Sequence, residues 1–145
     1  MTDRQSDQSE PIPIERDDVH VMYLRTSDDL EKSGPLWERL ESQVGLRGRK
    51  FFGAFYASAN EYRVCVQMKE GDDPKALGLE TGTLPGGRYL RKRLRGEAPE
   101  VYKQIGPTFQ MMVRSYQPYE TRPGIEFYRK HGEIDCLLRV VNTEP

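Results

Sequence analysis

Hydrophobic and polar positions alternate along the chain in two series that share one order of elements. The first series begins with a strand-like stretch at residues 19–25 and continues with an apolar stripe at helical spacing over 34–44. Two further strand-like stretches follow at 51–56 and 62–68, joined by a short hairpin. This pattern predicts one βαββ unit.

The same order recurs after residues 71–86, which are rich in Gly, Asp and Pro and are expected to form a linker. A strand is predicted over 88–94, a helix over 106–116, and two strands over 125–130 and 134–140. Short hairpins and two amphipathic helices exclude a parallel α/β fold and an all-strand domain. The sequence therefore predicts an α+β fold in which duplicated βαββ units form antiparallel sheet, with two main helices and a central ligand groove.

Residues 34–68 align with residues 106–140 without a gap. Gly34-Pro35 then matches Gly106-Pro107, and proline at these points predicts two helix starts, because its missing N–H suits the first turn. The largest chemical difference between the copies is at Glu126, a carboxylate between apolar neighbours, which this alignment matches to Ala54.

Composition fits one soluble domain without a signal peptide, and the cytoplasm is the expected location. Residues 1–17 are polar and contain two prolines, so we expect a disordered acidic tail that is dispensable for stability, followed by a domain over 18–145. The repeats are expected at about 18–70 and 87–141. Cys65 and Cys136 are predicted to be buried free thiols, and no metal site is indicated.

The net charge of −1 conceals a basic stretch that contains Arg88, Arg91, Lys92, Arg93 and Arg95. Such a stretch is typical of a solvated face or an exposed sheet edge. The alternatives are a contact with an anion, with a nucleic acid or with a protein partner. Direct DNA binding is not expected, because the chain is not basic overall and carries no nucleic-acid motif.

The duplication, the Gly-Pro helix starts and the segment Pro123-Gly124-Ile125-Glu126-Phe127-Tyr128, followed by Glu133, resemble the GyrI-like small-molecule-binding domain, which has a SOUL-like duplicated fold. This family is also described as the effector-binding domain of AraC- and MerR-type regulators. The resemblance implies that Glu126 lies in a groove between the repeats and meets cationic or polar aromatic ligands. It implies no cofactor. Residues 1–18 do not resemble a helix-turn-helix, so a stand-alone binder is expected.

Strand parity places Glu126 and Tyr128 on one face and Ile125 and Phe127 on the other. If the apolar pair packs on the helices, the carboxylate and the phenol face the groove. The remaining candidate ligand-binding residues are three tyrosines, Tyr56, Tyr23 and Tyr89, and three residues of the predicted helices, Trp37, Phe109 and Met112. For the three helix residues the alternative is packing in the core.

Three functions follow from these residues and from the resemblance. The first is binding of a small amphipathic or aromatic molecule. The second is a hydrolase for strained electrophilic compounds, in which Glu126 acts as general acid or base with Tyr128 or Tyr56. The third is a protein-interaction role such as gyrase inhibition, with the basic stretch or the acidic tail as the contact surface.

Overall fold

The computed structural model describes residues 10–27, 30–118 and 123–140, with backbone alone at 30–32. Eight strands are present: β1 (Ile12–Arg16), β2 (Val19–Ser27), β3 (Phe51–Tyr56), β4 (Glu61–Gln67), β5 (Glu80–Leu84), β6 (Gly87–Arg95), β7 (Gly124–Lys130) and β8 (Glu133–Leu138). The helices are α1 (Leu30–Val44), α2 (Pro74–Leu77) and α3 (Ile105–Ser115), with short 3-10 helices at Ala57–Ala59 and Glu100–Gln104.

All eight strands belong to one antiparallel sheet with the order β1-β6-β8-β7-β3-β4-β2-β5. This order is symmetric about the junction of β7 and β3. A pseudo-twofold axis at that junction exchanges β2, β3 and β4 with β6, β7 and β8. The predicted α+β fold with a duplicated antiparallel unit is therefore confirmed.

Each repeat has one strand more than the sequence pattern predicts, and that strand pairs with the other repeat. β1 precedes β2 but pairs with β6, and β5 precedes β6 but pairs with β2. The expected tail and linker are thus wrong for β1 and β5, while residues 1–9 lie outside the described part of the chain. Pro13 fits in β1 because β1 is an edge strand, where a missing N–H leaves no neighbour unpaired.

Two apolar clusters fill the space between the sheet and the helices. One lies under α1 and includes Leu40 and Val64, and the other lies under α3 and includes Met112 and Ile134. A third cluster contains side chains from all eight strands and none from a helix. A flat sheet cannot bring its two edges into one cluster, so the sheet curls into a half-barrel around this inner core.

The connection between β5 and β6 passes close to the connection between β1 and β2, and Gly86 lies at this point. The Gly86 N–H between β5 and β6 donates to Asp18 Oδ1 between β1 and β2, at 2.6 Å. A Cβ at Gly86 would stand 2.6 Å from the backbone oxygen of Arg16. No larger residue fits this crossing without moving the backbone.

Two expectations about elements are wrong. Helix α1 begins at Leu30, so Pro35 lies inside it, and only the second Gly-Pro lies in the first turn of its helix, α3. An extra turn precedes Pro35, and one helical hydrogen bond is missing there because proline has no N–H to donate. Strand β6 is not an exposed edge, because β1 and β8 flank it.

Within the described residues, the helices are too short or too polar to cross a membrane.

Candidate functional site

The site begins at the pair of residues on the pseudo-twofold axis. Gly53 in β3 pairs with Glu126 in β7, and their outer partners are Val64 in β4 and Cys136 in β8. Val64 and Cys136 are equivalent positions, 72 residues apart, as Glu61 and Glu133 are. Their partners Gly53 and Glu126 are therefore equivalent too, and the axis passes between them.

This pairing corrects the gapless alignment by one residue in β7. The counterpart of Glu126 is Gly53, because Ala54 pairs with Ile125 and lies with it in the inner core. A shift of one residue moves a strand side chain to the other face of the sheet. Strand parity alone therefore could not give the correct faces for β3 and β7 relative to each other.

Gly53 provides the room that the Glu126 carboxylate occupies. A Cβ at this position would lie closer than 3.0 Å to Glu126 Oε1 and to the Tyr62 hydroxyl. Glycine inside a strand otherwise weakens it, and it is typical of a place where another group approaches closely. Here the approaching groups are the polar atoms of the site.

Two phenols hold the carboxylate. The Tyr62 hydroxyl donates to Glu126 Oε1 at 2.7 Å, and the Tyr128 hydroxyl donates to the same oxygen at 2.6 Å. Burial raises the pKa of both phenols well above the usual value, and the negative charge of Glu126 raises it further. Both hydroxyls therefore stay protonated and remain donors at neutral pH.

Aromatic rings surround these groups. The Trp37 ring on α1 packs edge-on to Tyr128, with 5.2 Å between centroids, and the Tyr102 ring on the second 3-10 helix lies 6.2 Å from Tyr128. Glu126 and Tyr128 are only partly buried. We call Glu126, Tyr62, Tyr128, Trp37 and Tyr102 the Glu126 site. It lies on the helix side of the sheet, and its Trp37 comes from α1.

The faces of β7 are the reverse of what the sequence suggests. Ile125 and Phe127 do not pack on the helices but point into the inner core, where Phe127 stacks on Phe52 with 4.8 Å between centroids. Glu126 and Tyr128 point to the helix side. The residues around Glu126 therefore come from the sheet and from the helix side, and the groove stays a prediction.

Three tyrosines predicted to bind ligand with Glu126 lie on the opposite face. Tyr23, Tyr56 and Tyr89 all belong to the inner core or pack against it. The Arg63 guanidinium lies between the Tyr23 and Tyr56 rings, 4.4 Å and 4.3 Å from their centroids, and the Tyr89 hydroxyl donates to the backbone oxygen of Pro85. The misplaced face of Tyr56 follows from the alignment being one residue out in β7.

Of the predicted helix residues, Trp37 is at the site. Met112 is fully buried in the cluster under α3, as its core alternative predicts. Phe109 is partly buried in the same cluster and covers Gly124, where a Cβ would meet its ring at 3.2 Å. Sequence reasoning missed Gly53, Tyr62 and Tyr102. Two signals in the sequence could have identified Gly53 and Tyr62: the glycine inside the predicted strand 51–56, and the alternation of residues in the strand that follows it.

Cys65 and Cys136 are buried free thiols, as predicted. Burial raises the pKa of both, which makes them poor nucleophiles. Among the described residues, no group of His, Cys, Asp and Glu side chains is arranged to hold a metal ion. The chemistry of the site is therefore that of a carboxylate with phenol donors and aromatic faces.

No protein-family model matches the chain, and no curated protein matches it in sequence. Solved structures do match. An integron cassette protein from the mobile metagenome of Vibrio cholerae has 17% identity and a TM-score of 0.73, covering 90% of this chain and 95% of its own. SAV2435 bound to tetraphenylphosphonium has 10% identity and a TM-score of 0.66, covering 91% and 94%.

A putative bacterial transcription regulation protein from Staphylococcus aureus has 11% identity and a TM-score of 0.64, covering 92% of this chain and 99% of its own. At these identities the likeness shows the fold. The fold of this chain is thus shared with a protein whose structure contains a bound organic cation.

Proposed function

We propose that this chain is a GyrI-like domain that binds small cationic or polar aromatic molecules at the Glu126 site. The observation that carries the proposal is a partly buried carboxylate, held by the Tyr62 and Tyr128 hydroxyls, with aromatic rings beside it. The resemblance of the strand around Glu126 to the family pattern supports it. So does SAV2435, which has the same fold and binds tetraphenylphosphonium.

The chemistry favours a lipophilic cation. A carboxylate among aromatic groups is costly to keep charged, and a bound cation offsets that cost. The faces of Trp37 and Tyr128 add cation-π attraction of about 0.5 to 2 kcal/mol. Phenols that remain protonated orient the carboxylate without competing for the cation. The proposed role is binding, so the ligand is released chemically unchanged.

The substitution Glu126→Gln tests the proposal, because it preserves shape and removes the charge. We expect affinity for tetraphenylphosphonium to fall by roughly 1 to 3 kcal/mol, the scale of a charge-assisted contact. Trp37 is the single tryptophan of the chain and lies at the site, so its fluorescence reports binding directly. Calorimetry provides an independent measure of the same affinity.

Glu80→Gln is the matched control. Glu80 lies on β5 away from the site and pairs with Arg25 on β2, so the substitution removes the same charge elsewhere. It should leave the affinity unchanged. Tetraphenylborate has nearly the same shape with the opposite charge, and wild type should bind it much more weakly. Equal binding of the phosphonium by wild type and Glu126→Gln would refute the anchor role of Glu126.

A further inference from the structure

A cluster of charged side chains lies where β6 ends beside the hairpin of β7 and β8. Its centre is Glu133, which is only 5% exposed. Arg95 Nε donates to Glu133 Oε1 at 3.1 Å, Arg129 Nη1 donates to Oε2, and Arg93 Nε lies 3.7 Å from Oε2. Arg93 also donates to both oxygens of Asp135. We call these five residues the Glu133 cluster.

The Glu133 cluster and the Glu126 site lie on opposite faces of the sheet. Asp135 pairs with Phe127, whose side chain points into the inner core. Because side chains alternate along a strand, Glu133 shares the face of Asp135, whereas Glu126 points to the helix side. An inference about the Glu133 cluster is therefore independent of the proposed function.

The equivalent cluster of the first repeat is balanced in charge. Its central carboxylate is Glu61, which pairs with Arg25 and Arg63, and Arg25 pairs in addition with Glu80. Two arginines there face two carboxylates. Three arginines face two carboxylates around Glu133, so the second repeat carries one positive charge in excess.

A β-bulge delivers one of the three arginines. The register of β7 against β8 shifts between Tyr128 and Lys130, and Lys130 pairs with Glu133, so Arg129 is the extra residue. The strand pair that ends at Glu61 in the first repeat has no such shift. Bulges often re-aim a side chain next to a functional site, and this one directs Arg129 onto Glu133.

The strand on the other side of Glu133 supplies a second arginine that the first repeat lacks. Arg95 in β6 pairs with Glu133, and the residue that pairs with Glu61 in β2 is Ser27. Arg95 and Arg129 each use one N–H group on Glu133, and their side chains are 54% and 38% exposed. A guanidinium has five N–H groups, so both arginines keep donors that face solvent.

The turn between β7 and β8 holds the two arginines in fixed positions. The Gly96 N–H, directly after Arg95, donates to the backbone oxygen of Gly132 at 2.9 Å. A Cβ at Gly132 would stand 2.5 Å from the backbone oxygen of Gly96, so the two segments are in close contact. Donors that are already in place before a ligand arrives lower the cost of binding it.

We infer that Arg95 and Arg129 form a binding site for a phosphate group, either free or carried by a small molecule. Two guanidinium groups from different strands converge on Glu133, and the excess positive charge of the cluster favours an anion. The flat fork of arginine matches phosphate oxygens. A phosphate has more acceptor oxygens than a carboxylate, so one group can bridge both arginines.

Calorimetric titration with inorganic phosphate and with glycerol 3-phosphate tests this inference. The ionic strength is kept constant, because salt screens exposed charges. We expect wild type to bind both compounds. Arg95→Gln and Arg129→Gln should each lower the affinity for both roughly tenfold, the scale of one charged hydrogen bond.

Arg25→Gln is the matched control. Arg25 is 52% exposed and pairs with Glu61, so the substitution removes the same charge from the equivalent cluster of the first repeat. It should leave phosphate affinity unchanged. An equal loss in Arg25→Gln and in Arg129→Gln would mean that phosphate responds only to overall charge, and the site would be refuted.

Two further results would also overturn the inference. One is the absence of phosphate binding by wild type. The other is binding of a polyglutamate peptide without binding of either phosphate compound, which would make the cluster a protein contact. Melting curves show whether Arg95→Gln and Arg129→Gln keep the fold, and if one of them unfolds, the affinity of the other decides.

Discussion

At the residue scale, the pseudo-twofold axis imposes a steric condition on the two side chains beside it. Equivalent residues at the axis point at the same space, so two carboxylates there would collide and repel. The chain meets this condition with Glu126 in one repeat and Gly53 in the other. The asymmetry of this pair makes a single carboxylate possible at the centre of a symmetric sheet.

Gly53→Ala is expected to disrupt the site more than the fold. The added Cβ displaces the Glu126 carboxylate or the Tyr62 hydroxyl, so tetraphenylphosphonium binding should weaken at least as much as in Glu126→Gln. The cost in unfolding free energy should be about 1 to 3 kcal/mol, the usual scale for overpacking. Urea denaturation and the Trp37 fluorescence titration measure the two effects separately.

Gly34→Ala in α1 is the matched control. No atom lies within 4 Å of a Cβ built there, and alanine is favoured over glycine in a helix by up to about 1 kcal/mol. This variant should be as stable as wild type or more so, with unchanged binding. If Gly53→Ala behaves in the same way, Gly53 has no steric role at the site.

The sequence predicts Glu126, Tyr128 and Trp37 as members of the candidate site, and the structure places these three side chains near one another; the sequence does not predict Gly53 or Tyr62. Alternation in a strand tells which residues share a face, yet it does not tell which face meets the helices. That choice depended on an alignment one residue out in β7, and it placed Tyr56 beside Glu126 when the two are on opposite faces. Tertiary pairing, which fixes register, was needed to resolve it.

At the scale of elements, ion pairs connect loops and also add contacts between strands that are already paired in the sheet. Arg49, between α1 and β3, donates to both oxygens of Asp72, after β4, at 2.8 Å each. Both side chains are largely buried. Arg93 in β6 pairs with the buried Asp135, its register partner in β8. The basic stretch is therefore committed in part to internal pairs.

The Arg49 pair predicts a pH dependence. Its hydrogen bonds lower the pKa of Asp72 to about 2, so the pair contributes stability above pH 4, and this contribution is lost as pH falls towards 2. Asp72→Asn should reduce the unfolding free energy by roughly 2 kcal/mol at pH 7, with a smaller difference from wild type at pH 3. Urea denaturation at both pH values measures it.

Glu100→Gln gives the comparison, because Glu100 pairs with Lys103 on the exposed surface. Exposed pairs contribute about 0 to 1 kcal/mol, so this variant should follow wild type at both pH values. A constant difference between wild type and Asp72→Asn from pH 7 to pH 3 would show that the ionisation of Asp72 is not the cause.

Long, periodic elements are predictable at this scale, and short ones are not. The bounds of β3 match the prediction, because its apolar run is continuous. The strands β1 and β5 have five residues each and contain proline or glycine, so their local pattern is that of a tail or a turn. Their conformation comes from pairing with the other repeat, which no local pattern shows.

At the scale of the whole molecule, the exchange of β1 and β5 makes the two repeats interdependent. Each repeat completes the sheet of the other, and the two connections meet at Gly86 and Asp18. The duplication was visible in the sequence, whereas the exchange was not. A chain built in this way should unfold as one unit rather than repeat by repeat, since neither repeat has a complete sheet alone.

Deletion of residues 1–16 tests this exchange. It removes β1, including Ile14 against the inner core and the Arg16 guanidinium 5.0 Å from the Phe127 ring centroid. We expect a loss of at least about 2 kcal/mol in unfolding free energy, the scale for one buried aliphatic side chain. This reverses the expectation that the whole segment is dispensable.

Hydrogen exchange locates the effect of this deletion. Although β1 precedes β2 in sequence, its loss should expose backbone amides of β6, its partner in the sheet, and leave those of β2 protected between β4 and β5. Deletion of residues 1–9 keeps β1 and is the control, for which β6 should stay protected. Faster exchange in β2 than in β6 after removal of residues 1–16 would contradict the exchanged topology, because it would place β1 beside its own repeat.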